Sequence, residues 1–155
     1  MLTSQDLQQF IDQNQIAAEI LPMEQGTPTV PDAAWALGVE EDQIIKSLVF
    51  VVDGHPTLVI TNGTRKVDNR LVARHYGGGR KRAKMSRAEQ ALETTGYVVG
   101  GMPPFGHRTR LRTIVDPRVV DQQEIFGGGG EIDAMLRLTS EELLRVTGAR
   151  IVRVT

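Results

Sequence analysis

Two apolar runs flank an Asp-Gly pair: Gln43 to Val52 precedes Asp53-Gly54, and Thr57 to Thr61 follows it. Asp-Gly supplies the two left-handed backbone positions of the tightest hairpin turn, and the β-branched residues on either side favour extended chain. The spacing predicts a central hairpin. Inside its first arm stands Lys46, in Gln43-Ile44-Ile45-Lys46-Ser47-Leu48-Val49-Phe50. A lysine among apolar strand residues either guards an exposed edge or carries its ammonium into a cleft, where it meets an anion, a polar substrate or a carboxylate. Strand alternation puts Lys46 on one face with Leu48 and Phe50 and turns Ser47 to the other, which argues against a side-chain dyad.

Around the hairpin the pattern alternates irregularly. Thr3-Ser4 caps a helix with Leu7, Phe10 and Ile11 on one face, Gln15 to Leu21 reads as a strand, and Thr29 caps a short helix carrying Ala33, Ala34, Trp35 and Leu37 before Gly38. These elements read as a local N-terminal unit. Asp68 to Tyr76 has helical spacing and ends in Gly77-Gly78-Gly79, Ser86 with Glu89 reads as a capping box for a helix to Thr94, and Tyr97 to Val99 reads as a short strand. Strands follow at Leu111 to Val115, Glu124 to Phe126 and Ile132 to Leu138, then a helix capped by Thr139 and a last strand from Ala149 to Val154. No parallel βαβ repeat organises them. The expectation is a mixed α/β fold, a largely antiparallel sheet curled toward a partial barrel and flanked by helices, forming one domain over residues 1–155.

Charge is distributed unevenly. Residues 1–45 hold no Lys or Arg and eight acids, whereas residues 65–87 hold nine basic residues (Arg65, Lys66, Arg70, Arg74, Arg80, Lys81, Arg82, Lys84, Arg87) against Asp68 alone. Arg108, Arg110 and Arg112 form a second group. Such a tract reads either as a solvated surface or as a footprint for nucleic acid lying across both groups.

Several chemistries are excluded by residue type and spacing. The chain has no cysteine, so disulfides, thiolate nucleophiles and Cys-based zinc sites are absent. His55, His75 and His107 stand without carboxylates at ligand spacing, so no metal is expected. Neither Gly63-Thr64-Arg65-Lys66 nor Gly77-Gly78-Gly79-Arg80 has the spacing of a nucleotide-binding loop, so no cofactor is expected. No nucleophile elbow surrounds Ser47. No apolar run reaches membrane-spanning length, and the first residues lack the features of a signal peptide, so a cytoplasmic protein with no membrane partner is expected. What remains is the constrained loop Gly100-Gly101-Met102-Pro103-Pro104-Phe105-Gly106-His107, whose glycines allow close approach while its prolines fix direction. It reads as a stiff connection between strands or as a wall that cradles a ligand with backbone groups.

Lys46-Ser47-Leu48-Val49-Phe50, Gly63-x-x-Lys66-Val67-Asp68, Thr95-Gly96-Tyr97 running into the 100–107 loop, and Gly127-Gly128-Gly129 with Asp133 resemble the YbaK family, which includes the inserted editing domain of bacterial prolyl-tRNA synthetase. The resemblance covers nearly the whole chain in one order. It implies a free-standing trans-editing deacylase that hydrolyses the ester of mischarged aminoacyl-tRNA, and the mixed fold already expected. Carried over by position, Lys46, Gly100 and Gly101 take catalytic roles. The substrate-binding positions are then Thr27, Thr29, Ser47, Pro103, His107, Gly128 and Asp133. Arg65, Lys66, Arg70, Arg74, Arg80, Lys81, Arg82 and Lys84 would hold tRNA. The implied partners are aminoacyl-tRNA at its acceptor end and an aminoacyl-tRNA synthetase. The histidine, beside three arginines, is read as a pocket wall and not as a base. Two other classes remain open at this point: a non-catalytic tRNA-binding or synthetase-associated module of the same fold, and a small-molecule pocket protein.

Overall fold

The computed structural model describes residues 1–24, 26–78 and 82–155. The hairpin is its centre: β2 (Ile45–Val52) pairs with β3 (His55–Asn62) along its full length, and Asp53 and Gly54 turn the chain at φ of 50° and 80°. Both φ values are positive, as the two-residue turn demands. β3 continues into two parallel neighbours, β5 (Arg112–Val115) and β8 (Arg150–Ile151), while β4 (Ala83–Met85) pairs antiparallel with β2, giving the order β4-β2-β3-β5-β8.

A second sheet has the order β1-β7-β6, from β1 (Ala18–Pro22), β7 (Ala134–Thr139) and β6 (Glu124–Gly128), all antiparallel. The two sheets touch where Ile44 makes a single parallel bridge to Phe126. The expected curled, mixed sheet is therefore present as two sheets joined at one corner and not closed into a barrel.

Helices cover this frame. Leu7 and Ile11 of α1 (Ser4–Gln13) join Ile45, Val49, Leu58, Ile60, Ile125, Leu136 and Leu143 in the larger core, and α6 (Ser140–Thr147) packs on the same side. Phe50, Val52, Val59, Val72 and Ile114 form a second core on the other face of the five-stranded sheet, beneath α3 (Asn69–His75). Alternation along β2 divides its side chains between these two cores.

Several expectations from sequence are corrected. The N-terminal elements are not a local unit, because β1 pairs with β7, Ala18 opposite Leu138, and α1 packs into the main core. Trp35 in α2 (Val30–Leu37) is 90% exposed, so its apolar character marks no buried face. Ser86 makes no capping box: Arg87 is the N-cap of α4 (Ala88–Thr95), and the Ser86 hydroxyl donates to Gln90 Oε1 at 3.1 Å. Residues 97–99 turn instead of forming a strand, and the last strand shrinks to two residues. Sequence patterning missed β4, three residues inside the basic tract, and α5 (Pro117–Val120), whose Asp116 cap accepts from the Arg118 N–H.

Candidate active site

Two strands, β4 and β6, reach one edge of β2, and the site lies where they leave that edge uncovered. The turn closes on the Val52–His55 pair, so ladder bonds to β3 fall on alternate residues back to Lys46, and the N–H and C=O of Ser47 and Val49 point to the opposite edge. On that edge β4 covers only Phe50 to Val52, and β6 reaches only the Ile44 bridge. Between them the Val49 carbonyl accepts from the Ser86 N–H at 2.8 Å, and the main-chain groups of Ser47 face a cleft of about 470 Å³.

Each wall of the cleft has a local cause. Thr29 accepts a hydrogen bond from the Asp32 N–H at 3.2 Å and so starts α2, which presents Val30 and Ala33. Met85, Ser86, Ala88 and Ala91 come from the β4–α4 junction, Gly100 and Met102 from the Gly/Pro loop, and Gly127, Gly128 and Met135 from the second sheet. Lys46 is exposed at the rim, and its Cε lies 3.4 Å from where a Cβ on Gly63 would sit. Ser47 is 8% exposed, and its hydroxyl has no hydrogen-bond partner among the described residues. Lys46 and Ser47 do point to opposite faces, yet both line the cleft because it opens across the strand edge. The lining is mostly aliphatic, with Thr27, Thr29, Ser47 and Ser86 as its hydroxyls, and it includes no Asp or Glu.

Two glycine loops hold the inner wall by backbone contact. A Cβ on Gly101 would stand 2.7 Å from the Glu131 carbonyl carbon, and one on Gly128 would stand 2.2 Å from the Met102 oxygen. The Gly130 N–H donates to the Gly101 carbonyl at 2.8 Å, and the Gly101 N–H donates to Val98 at 3.1 Å. Gly101 is thus occupied in closing the two loops on each other. Gly100, at φ 100°, is exposed on the cleft, and its N–H has no backbone partner among the described residues.

A profile of the aminoacyl-tRNA editing domain matches residues 24–146, which carry the β2 edge, the lysine and both glycine loops. The chain belongs to the aminoacyl-tRNA editing domain family. A solved structure described as a candidate trans-editing enzyme for prolyl tRNA synthetase superposes with a TM-score of 0.91 at 31% identity, over 98% of this chain and 96% of that one. The multifunctional Ser/Thr-tRNA deacylase ProXp-y of Escherichia coli strain K12 is 29% identical over 120 residues, 74% of this chain and 71% of the relative. The proline–tRNA ligase of Maridesulfovibrio salexigens is 31% identical over 112 residues, 72% of this chain but only 19% of the ligase.

Within this editing domain the residues singled out from sequence divide. Lys46, Ser47, Thr27, Thr29, Gly100 and Gly128 line the cleft together. Pro103, His107 and Asp133 are not among its lining residues. Pro103 is buried, and its carbonyl accepts from His107 Nε2 at 2.8 Å. The His107 ring packs edge-on against Tyr97, and burial lowers its pKa. Burial, and not the arginines that follow, is what favours the neutral ring, so His107 braces the loop from behind. Asp133 is exposed, and its carbonyl accepts from the Met23 N–H at 2.7 Å.

The described cations of the basic tract are all exposed. Arg70 pairs with Asp68 at 3.5 Å and Arg82 with Asp53 at 3.1 Å, while Arg65, Lys66, Arg74 and Lys84 have no carboxylate within salt-bridge distance among the described residues. Arg80 and Lys81 lie outside the described residues. The tract leaves the cleft rim beside Gly63 and returns to it at Met85 and Ser86, although none of its arginines or lysines lines the cleft. The second basic group separates: Arg108 donates to the Glu93 carbonyl at 3.2 Å, whereas Arg110 and Arg112 line a different pocket. Among the described residues no group of three or more His, Asp or Glu side chains could hold a metal, and no helix is long and apolar enough to cross a membrane.

Proposed function

We propose that this chain hydrolyses the ester linking a mischarged amino acid to the 3′ end of tRNA, acting in trans, with the substrate seated in the gap along β2. The observation that carries this reading is the convergence of the Lys46 ammonium, the unpaired Ser47 main-chain groups and the Gly100 N–H on one cleft, in a chain of the editing family. An aminoacyl ester is already activated, so the protein must position water and stabilise the developing oxyanion. Fixed N–H groups and an ammonium do both without a covalent nucleophile. Lys46, at the rim, faces the terminal nucleotide and the ester joined to it, where its ammonium supports the developing oxyanion, while Gly100 and Ser47 hold the ester carbonyl. The ribose hydroxyl adjoining the ester can relay the proton from the attacking water to the leaving oxygen.

The aliphatic lining with scattered hydroxyls and no carboxylate suits a small, uncharged side chain. The basic tract supplies phosphate contacts that start at the cleft rim. Homologous domains sit inside proline–tRNA ligases, which supports a working association with a synthetase.

Deacylation of a panel of mischarged tRNAs tests the reading. Release of one or a few small amino acids is expected, with a fall of about 10²-fold or more in kcat/KM for Lys46→Ala, the size of a lost transition-state donor. Equal activity of Lys46→Ala and wild type would overturn Lys46's role. Tight, salt-sensitive tRNA binding with no ester lost on any substrate would leave a binding module instead.

A further inference from the structure

A second pocket, of about 460 Å³, opens on the far side of the five-stranded sheet, where the ends of α3 and α6 meet β5 and β8. Arg110, Arg112 and Arg150 line it with His75, Tyr76 and Gly148. None of the three arginines has a carboxylate within salt-bridge distance among the described residues, although four other ion pairs form elsewhere. Three guanidinia around one cavity repel one another and are stabilised by an anion placed among them.

The geometry is built and not incidental. Arg112 Nε donates to Thr57 Oγ1 at 2.7 Å, and its guanidinium lies 3.9 Å from the centre of the Tyr76 ring, so its plane is fixed. His75 meets the same ring edge-on at 4.7 Å. Arg110 reaches over Gly148, the left-handed end of α6, with its Nη2 3.8 Å from where a Cβ there would sit. Burial raises the Tyr76 pKa, while Arg112 and Arg150 both lie near enough to oppose that rise, so their charges converge on one spot. A fixed guanidinium beside two free ones is a fork that suits the oxygens of a phosphate.

We propose that this pocket takes a backbone phosphate of the tRNA whose 3′ end occupies the cleft. The proposal rests on the editing function argued above. Arg74, beside the pocket residue His75 at the end of α3, and Lys84, beside the cleft residue Met85 on β4, are both exposed, so a cation stands next to each site. Counting strand spacings and rises, pocket and cleft are on the order of 20 Å apart. A nucleic acid spans that distance within a few nucleotides, whereas an isolated mononucleotide does not.

The test uses Arg110→Gln/Arg150→Gln, since neither side chain makes a protein hydrogen bond among the described residues, with the corresponding double lysine variant as the charge-preserving control. Binding of uncharged tRNA is followed against salt, and hydrolysis is compared between full-length mischarged tRNA and the same amino acid esterified to a short 3′-terminal fragment. The glutamine variant should weaken tRNA binding several-fold and reduce the slope of log affinity on log salt by about 1 to 2. It should also raise KM on tRNA with kcat unchanged, and leave the short ester untouched. The lysine variant should recover the slope. An unchanged salt slope and KM on tRNA would overturn the proposal, as would equal losses on both substrates. So would wild-type binding of inorganic phosphate or a free mononucleotide at the pocket that tRNA fails to displace. If no ester is cleaved by any variant, the editing reading fails, while the salt slope still decides whether the pocket binds tRNA.

Discussion

Replacing Gly128 by alanine would separate the two glycine loops that form the inner wall of the cleft. The added Cβ would stand 2.2 Å from the Met102 oxygen, 2.6 Å from its carbonyl carbon and 2.8 Å from the Gly101 carbonyl carbon. All three neighbours are backbone atoms, so no side-chain rotation relieves the clash. Restoring ordinary contact requires the 100–106 loop to retreat by on the order of 1 Å. Overpacking of this kind costs about 1–3 kcal/mol, and a 1 Å displacement of positioning groups costs about 10²-fold in turnover. Denaturant unfolding reads the first quantity, and deacylation of the best mischarged tRNA by the folded fraction reads the second. Gly26→Ala, where a Cβ meets nothing within 4 Å, should leave stability unchanged. A Gly128→Ala protein with wild-type stability and turnover would refute the idea that this contact sets the wall.

Other substitutions probe the supports around the site. Thr29→Ala removes the cap of α2 and should cost about 1 kcal/mol in unfolding experiments while raising KM, with Thr29→Ser restoring both; no change in either would show that α2 needs no cap to hold its cleft face. Tyr97 is fully buried with a hydroxyl that has no protein partner among the described residues, and burial pushes its pKa up to about 12. Tyr97→Phe should therefore leave stability unchanged or raise it by about 1 kcal/mol, and a marked loss would mean the hydroxyl is satisfied. Hydrogen bonds from Arg145 and from the Ala17 N–H hold the Glu142 carboxyl at about 2, below its ordinary 4.5. A lowered carboxylate pKa adds stability that is complete above about pH 5 and lost as pH falls toward 2. Because the Arg145 side chain is 55% exposed, solvent screening reduces this to about 1 kcal/mol. Glu142→Gln should lose that increment at pH 7 and flatten the stability curve between pH 5 and 2, so an unaltered curve would contradict the assignment.

The parts of this fold legible in the sequence are those decided by neighbours along the chain. Asp53-Gly54 dictates its turn, Thr29 caps its helix, and alternation along β2 assigns Lys46 and Ser47 to opposite faces. The cleft itself was not legible, because it is a gap between β4 and β6, which reach the edge of β2 from residues 83–85 and 124–128. No local pattern encodes which stretch of an edge stays uncovered. The glycines showed that backbones approach closely but not which ones, so Gly101 read as a free donor when its N–H and C=O are spent on Val98 and Gly130. His107 and Asp133 adjoin the loops in sequence, yet neither lines the cleft, and His107 instead bonds the Pro103 carbonyl. Arg150 sits in a two-residue strand, and only the parallel pairing of β5 with β8 brings it beside Arg110 and Arg112.

The central claim is that the ester sits in the uncovered stretch of β2 between Lys46 and Gly100. A crystal structure with a non-hydrolysable 3′-aminoacylamido-adenosine tests it most directly. The expected result is the acyl carbonyl within hydrogen-bond distance of the Ser47 or Gly100 N–H, the amino acid side chain against Val30 and Met135, and the nucleoside at the rim beside Lys46. Density for the analogue outside this cleft, with the β2 edge left empty, would contradict it.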